Sequence, residues 1–180
     1  MKRLYKKCKE DVIPKLRKDF DIKNILAVPN LEKVVINVGL GKNLTDKDFI
    51  ITVQKNLEKI TGQKPVLMKA KKSISNFKIR KGMTVGMKVT LRNKRMYDFL
   101  DKLINVTFPR VRDFRGIEPK KVDGAGNITI GFKEYSCFPE IELDDIGKSH
   151  GLEVSIVINS RNSKESIEFL TEMGFPFKKS

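Results

Sequence analysis

Twelve lysine and arginine residues fall between Lys59 and Tyr97, a stretch of 39 residues that contains no aspartate or glutamate. The formal charge of the whole chain is +15, so this one window carries most of the excess. Packed like charges repel, and a one-sign field of this density is expected to persist where a polyanion neutralises it and releases counterions. A merely solvated basic face would be broken by acids at i+4 spacing, and this one is not. The chemistry on offer is phosphate binding, with RNA as the leading ligand.

Bond-making chemistry finds little support. The chain has a single histidine, His150, in a Ser-His-Gly turn with no cysteine or serine nucleophile recognisably beside it. Glu140, Glu142, Asp144 and Asp145 form a cluster of acids that could hold Mg2+ in a nuclease. Acids this close in sequence more often form a solvated or protein-facing patch, such as a docking surface for a basic partner. Gly39-x-Gly41 starts like a dinucleotide fingerprint, but Leu44 stands where the third glycine belongs. Cys8 and Cys137 form no Cys-x-x-Cys pair and read as reduced, packed thiols. The expectation is a binding protein with no enzymatic activity, no metal and no cofactor. A Mg2+-dependent nuclease and a nonspecific nucleic-acid chaperone are the rival readings.

With 180 residues and 39% apolar content, the chain can bury one full core and reads as a single domain, 1–180. No apolar run reaches the roughly 20 residues of a spanning helix, and Met1 to Lys9 lacks the apolar segment of a secretory signal. A cytoplasmic protein with no membrane partner is expected.

The elements that must position the cations follow from periodicity. Leu4, Cys8, Val12, Leu16 and Phe20 recur at helical spacing, predicting a basic N-terminal helix over about 2–20, kinked or divided at Pro14. Val34, Ile36 and Val38 alternate with Val35 and Asn37 as a half-buried strand. Thr45 and Asp48 fit a capping box for a helix that carries Phe49, Val53, Leu57 and Ile60 and ends near Gly62. A short strand, Pro65 to Met68, leads into a long basic loop over about 69–82, whose order without RNA the sequence does not fix.

Val85, Met87, Val89 and Leu91 then point inward, with Lys88, Thr90 and Arg92 outward. Asn93 is placed to cap a helix that carries Met96, Phe99, Leu100, Leu103 and Ile104 and ends before Pro109. Phe108 to Gly116 reads as a structured Arg-rich loop. Strands follow with Ile128, Ile130 and Phe132 inward, and with Leu152, Val154, Ile156 and Ile158 inward. A last helix bearing Ile167, Leu170 and Met173 stops at Gly174. The fold class is α+β: a mainly antiparallel sheet with helices on one face and an open face on which Asn37, Lys88, Thr90 and Arg92 suit RNA.

Blocks spread over the whole chain carry a resemblance. They include Val28-Pro29, Lys33 to Gly41, Thr61-Gly-Gln-Lys-Pro65, Lys69-Ala-Lys-Lys-Ser73, Phe77-Lys-Ile-Arg80, Lys88-Val-Thr-Leu-Arg92, Phe108 to Gly116, Phe138-Pro-Glu-Ile141 and Phe175-Pro-Phe-Lys178. In this order and spacing the chain resembles the family of the fifth large-subunit ribosomal protein, which binds 5S rRNA in the central protuberance. Met68, where threonine or serine is expected, and Pro14 are the departures.

The resemblance implies a structural ribosomal component, not a homo-oligomer, whose partners are 5S rRNA, large-subunit rRNA, the peptidyl-site tRNA and a small-subunit head protein. It implies 5S rRNA binding by Asn37, Gln63, Lys88, Thr90 and Arg92. It implies tRNA contact through Lys71, Lys72, Ser73, Lys78 and Arg80. An intersubunit bridge would use Arg110, Arg112 and Arg115 with Glu142, Asp144 and Asp145.

Overall fold

The computed structural model describes residues 4–44, 46–141 and 150–178. Lys2 and Arg3 of the expected first helix, the expected cap Thr45, and the acids Glu142, Asp144 and Asp145 lie outside the described residues.

Alternation along the strands produces the α+β architecture expected. Five strands, β1 (Asn30–Gly39), β2 (Val66–Lys69), β3 (Thr84–Leu91), β4 (Ile128–Phe132) and β5 (Leu152–Asn159), form an antiparallel sheet in the order β2-β3-β1-β5-β4. Val34, Ile36 and Val38 are buried while Asn37 is exposed, and Met87, Val89 and Leu91 are buried while Lys88 is exposed. β4 and β5 repeat the pattern, with Thr129 and Glu153 outward. Since side chains repeat every two residues, a slip of one register would carry Lys88 into the core. The edge strand β2 departs from the pattern, its four residues all being exposed.

The chain forms two compact units whose boundaries fall inside β1, β3, β4 and β5. The first comprises Met1–Val34, Leu91–Thr129 and Ser155–Ser180. Its helices are α1 (Leu4–Lys7), α2 (Ile13–Asp19), α4 (Asn93–Lys102), α5 (Phe108–Arg110) and α6 (Ser163–Met173). Pro14 was expected to kink the first helix or split it. Two short helices are what forms, α1 and α2 with Pro14 in the first turn of α2, and a π-helical turn, Cys8–Val12, joins them, the Ile13 N–H donating to the Cys8 carbonyl. Widening the turn just ahead of the proline makes room for its ring and keeps the chain helical.

Pro109 is accommodated in the same way. The helix expected to end before it continues through a π turn, Leu103–Thr107, with the Phe108 N–H donating to the Leu103 carbonyl, and runs on to Arg110. Asn93 does not act as a cap: Arg92 occupies that position with no side-chain cap bond, and Asn93 opens α4 at φ 51°. Tyr97 on α4 ties this unit together, its hydroxyl lying 3.8 Å from the buried Cys8 Sγ and donating to Asn30 Oδ1 at 3.2 Å. Burial pushes the Cys8 thiol above its ordinary pKa, as expected of an inert packed cysteine.

The second unit comprises Val35–Thr90 and Ile130–Val154 and contains α3 (Lys47–Thr61). Phe49, Val53, Leu57 and Ile60 of α3 are buried as the stripe predicted. The N-cap is Asp46, whose carboxylate accepts from the Phe49 N–H at 3.1 Å, rather than the Thr45 expected from the capping-box pattern. Gly62 closes the helix at φ 65°, a left-handed position that costs glycine nothing and other residues more. Asp46→Ala is expected to lower stability by about 1 kcal/mol, read as a shift in the urea midpoint with an unchanged m-value. An unmoved midpoint would remove the cap from the account of α3.

Candidate nucleic-acid interface

All twelve cations between Lys59 and Arg95 are exposed. Exposure is what makes their crowding tolerable. In water, two unit charges 4 Å apart repel by about 1 kcal/mol, and salt screens the longer separations.

In the second unit, Asn37 on β1 and Lys88 on β3 are exposed and Thr90 is half-buried. Alternation on two adjacent strands puts all three on the open face. Their side chains form no hydrogen bond or ion pair among the described residues. Gln63, just past the end of α3, donates its amide Nε2 to the Thr90 carbonyl at 3.3 Å, which fixes this part of β3. Gly86, two residues before Lys88, is required by close backbone approach, since a Cβ there would lie 2.9 Å from the Val38 carbonyl oxygen. Asn37 also borders an open cleft of about 520 Å3 lined by Gly39, Gly131, Lys133, Gly151 and Glu153. Nothing local in the sequence singles out Lys133 or Glu153, because β5 reaches the side of β1, and β4 the side of β5, only in the folded sheet.

Arg92 belongs to the first unit. Its Nη1 donates to the Glu32 carbonyl at 3.3 Å and lies 3.6 Å from the Glu32 carboxylate. Both side chains are about half exposed, so this pair is worth at most about 1 kcal/mol.

The basic stretch between β2 and β3 is a long loop, as expected, and joins two strands that pair antiparallel with Val66 opposite Lys88; backbone bonds across it give it the form of a hairpin. Ala70 N–H donates to the Met83 carbonyl at 2.8 Å, and Ile74 and Ile79 exchange backbone bonds of 2.8 and 3.1 Å. A 3-10 turn, Ser75–Phe77, and Lys78 at φ 54° close the tip. Lys71, Lys72, Ser73, Lys78 and Arg80 all stand exposed on it, and the Ser73 hydroxyl accepts from the Lys81 N–H at 2.9 Å.

Of the bridge candidates, Arg110, Arg112 and Arg115 are exposed on a segment braced by Phe114, whose ring stacks on Phe108 with centroids 5.1 Å apart. Their expected acidic companions are the residues outside the described set.

His150 is buried, 6% exposed, with its ring stacked 4.3 Å from Tyr135 and edge-on to Phe49. Among the described residues its Nε2 has no hydrogen-bond partner, and burial holds its pKa below the ordinary histidine value against the opposing bond to the Gly151 carbonyl. This is a packing histidine kept neutral. Among the described residues no group of His, Cys, Asp and Glu side chains could hold a metal ion, and no helix is long and apolar enough to cross a membrane.

Such a molecule belongs to the class of basic α+β proteins that present cations and unspent polar groups on a sheet face and a hairpin. The family model described as "Ribosomal protein L5" matches residues 24–80, and the model for the C-terminus of the same ribosomal family matches residues 84–177. The chain is 54% identical to a "Large ribosomal subunit protein uL5" of Halothermothrix orenii, the match covering 94% of each chain. It is 48% identical to the protein of the same name in Syntrophomonas wolfei, over 99% of this chain and 100% of the relative. Identity to that of Natranaerobius thermophilus is 50%, over 98% and 99%. The chain therefore belongs to the ribosomal protein L5 family. Its members are structural and non-enzymatic, which removes the nuclease reading.

Because the folded protein keeps His150 neutral while the unfolded chain protonates it near pH 6.5, the unfolded state binds more protons below that value. The contribution of this burial is fully present above about pH 6.5 and is lost as pH falls. Wild-type melting temperature should drop between pH 7.5 and 5.5 by more than that of His150→Asn. Parallel profiles for the two proteins would exclude His150 as the source.

Proposed function

We propose that the chain is a structural component of the large ribosomal subunit, working in the cytoplasm, and that it binds 5S rRNA and helps attach it, with large-subunit rRNA, in the central protuberance. Asn37, Gln63, Lys88, Thr90 and Arg92 are the 5S rRNA contacts in this reading. The observation that carries it is the unspent polar character of Asn37, Lys88 and Thr90 on a sheet face whose other side is core. A flat face with short polar groups and a few long cations fits the wide, shallow minor groove of A-form RNA, where 2′-hydroxyls and phosphates are the available partners. The Gln63 tie to the Thr90 backbone supports the site by fixing the strand before RNA arrives.

The basic hairpin, with Lys71, Lys72, Ser73, Lys78 and Arg80, reaches toward the peptidyl-site tRNA in the same proposal. Arg110, Arg112 and Arg115, with Glu142, Asp144 and Asp145, face a small-subunit head protein across an intersubunit bridge. A general nucleic-acid chaperone would bind RNAs indiscriminately. Strong preference for 5S rRNA over a control RNA of equal length at matched salt separates the two, because phosphate contacts alone carry no sequence or shape information.

Thr90→Ala and Asn37→Ala are each expected to weaken 5S rRNA binding by about 1–3 kcal/mol, measured by filter binding at fixed salt. Unchanged affinity in both variants would refute the sheet-face assignment. Replacing Lys71, Lys72 and Arg80 together by alanine should leave 5S rRNA affinity nearly intact. A large loss in that variant would show that the hairpin, and not the sheet, holds this RNA.

A further inference from the structure

Phe77 stands apart from the other phenylalanines. Of the eleven phenylalanines, ten are buried or half-buried, whereas Phe77 is 69% exposed at the tip of the basic hairpin. Nothing in the turn demands a large apolar ring there. The tip is closed by backbone bonds, the Lys78 N–H donating to the Ser75 carbonyl at 3.0 Å and Ile74 pairing with Ile79, so the ring is displayed on a preformed support.

We propose that Phe77 is a base-stacking residue, whose ring lies against the face of an unpaired nucleotide in a folded RNA while Lys72, Lys78 and Arg80 hold flanking phosphates. The inference rests on the reading of the hairpin as an RNA contact and adds the kind of structure it recognises. An aromatic ring gains from stacking on any base and gains nothing from a closed duplex, whose bases are already stacked. Charge favours RNA over an apolar pocket on a protein. Seating Phe77 in such a pocket would bring the three exposed cations beside it against a dry surface, with no acid on the hairpin to accompany them. An RNA loop meets the ring with a base and the cations with phosphates. Phe77 is thus a selector for unpaired RNA, and the cations supply affinity without that selection.

The test uses the full chain with three probes: a labelled tRNA transcript, a blunt RNA duplex with the same number of phosphates, and 5S rRNA. Phe77→Ala should weaken tRNA binding about 5- to 50-fold and duplex binding less than about twofold, with the slope of log affinity against log salt unchanged because no phosphate contact is lost. Affinity for 5S rRNA should stay as in wild type. Phe77→Tyr should keep wild-type affinity, whereas Phe77→Leu, apolar but without a π face, should lose nearly as much as alanine. Wild-type tRNA affinity in the leucine variant would show that apolar bulk, and not a π face, makes the contact and would overturn the proposal, as would an equal loss on the duplex. If Phe77→Ala is silent while joint replacement of Lys72, Lys78 and Arg80 by alanine weakens tRNA binding and flattens its salt slope, stacking is wrong and the hairpin reading stands. If that triple variant also binds tRNA as wild type does, the hairpin reading itself falls.

Discussion

Strict alternation along the strands is the constraint on which both the core and the proposed binding face depend. A strand cannot bury Ile36 and Val38 without turning Asn37 outward, nor Met87 and Val89 without exposing Lys88. Hydrophobic burial therefore places the polar groups. Each fully buried aliphatic side chain on these strands contributes about 1.5–3 kcal/mol, whereas an outward polar group contributes almost nothing to folding. The core sets the register, and the open face inherits its geometry from a choice made on the other side of the sheet.

The basic window shows how a charge distribution that would trouble an ordinary surface is kept harmless. All twelve cations are exposed, so none bears the desolvation penalty of a buried charge, and water and salt damp their mutual repulsion. Order within the hairpin comes from backbone pairing between Ala70 and Met83 and between Ile74 and Ile79, which is indifferent to side-chain charge. Sheet and hairpin thus offer different things to a polyanion: one a flat surface with short polar groups, the other a projecting tip rich in charge and carrying an exposed ring.

Two prolines in the first unit receive the same local treatment. At Pro14 and again at Pro109, the residue just before the proline donates five residues back instead of four, and the helix continues. Breaking the first helix would have separated Leu4 and Cys8 from Val12 and Leu16, all of which are buried. Packing of that continuous stripe outweighs the loss of one hydrogen bond and the strain of a widened turn.

The chain by itself determined what depends on near neighbours. Period-two and period-3.6 patterns located the strands and main helices, Gly62 and Gly174 marked helix ends because only a left-handed residue fits there, and the absence of acids from Lys59 to Tyr97 announced a polyanion partner. The polar face was legible as far as Asn37, Lys88 and Thr90, since alternation assigns sides without any knowledge of strand order. Tertiary structure alone decided matters that join residues distant in sequence. It braced the predicted loop with backbone bonds across it, moved the α3 cap to Asp46, buried His150 against Tyr135 and Phe49, engaged Arg92 with Glu32, and left Phe77 as the exposed phenylalanine. Sequence spacing carries no record of such encounters, because the energy of a contact depends on which surfaces the folded chain brings within a few ångströms, and that is settled by packing.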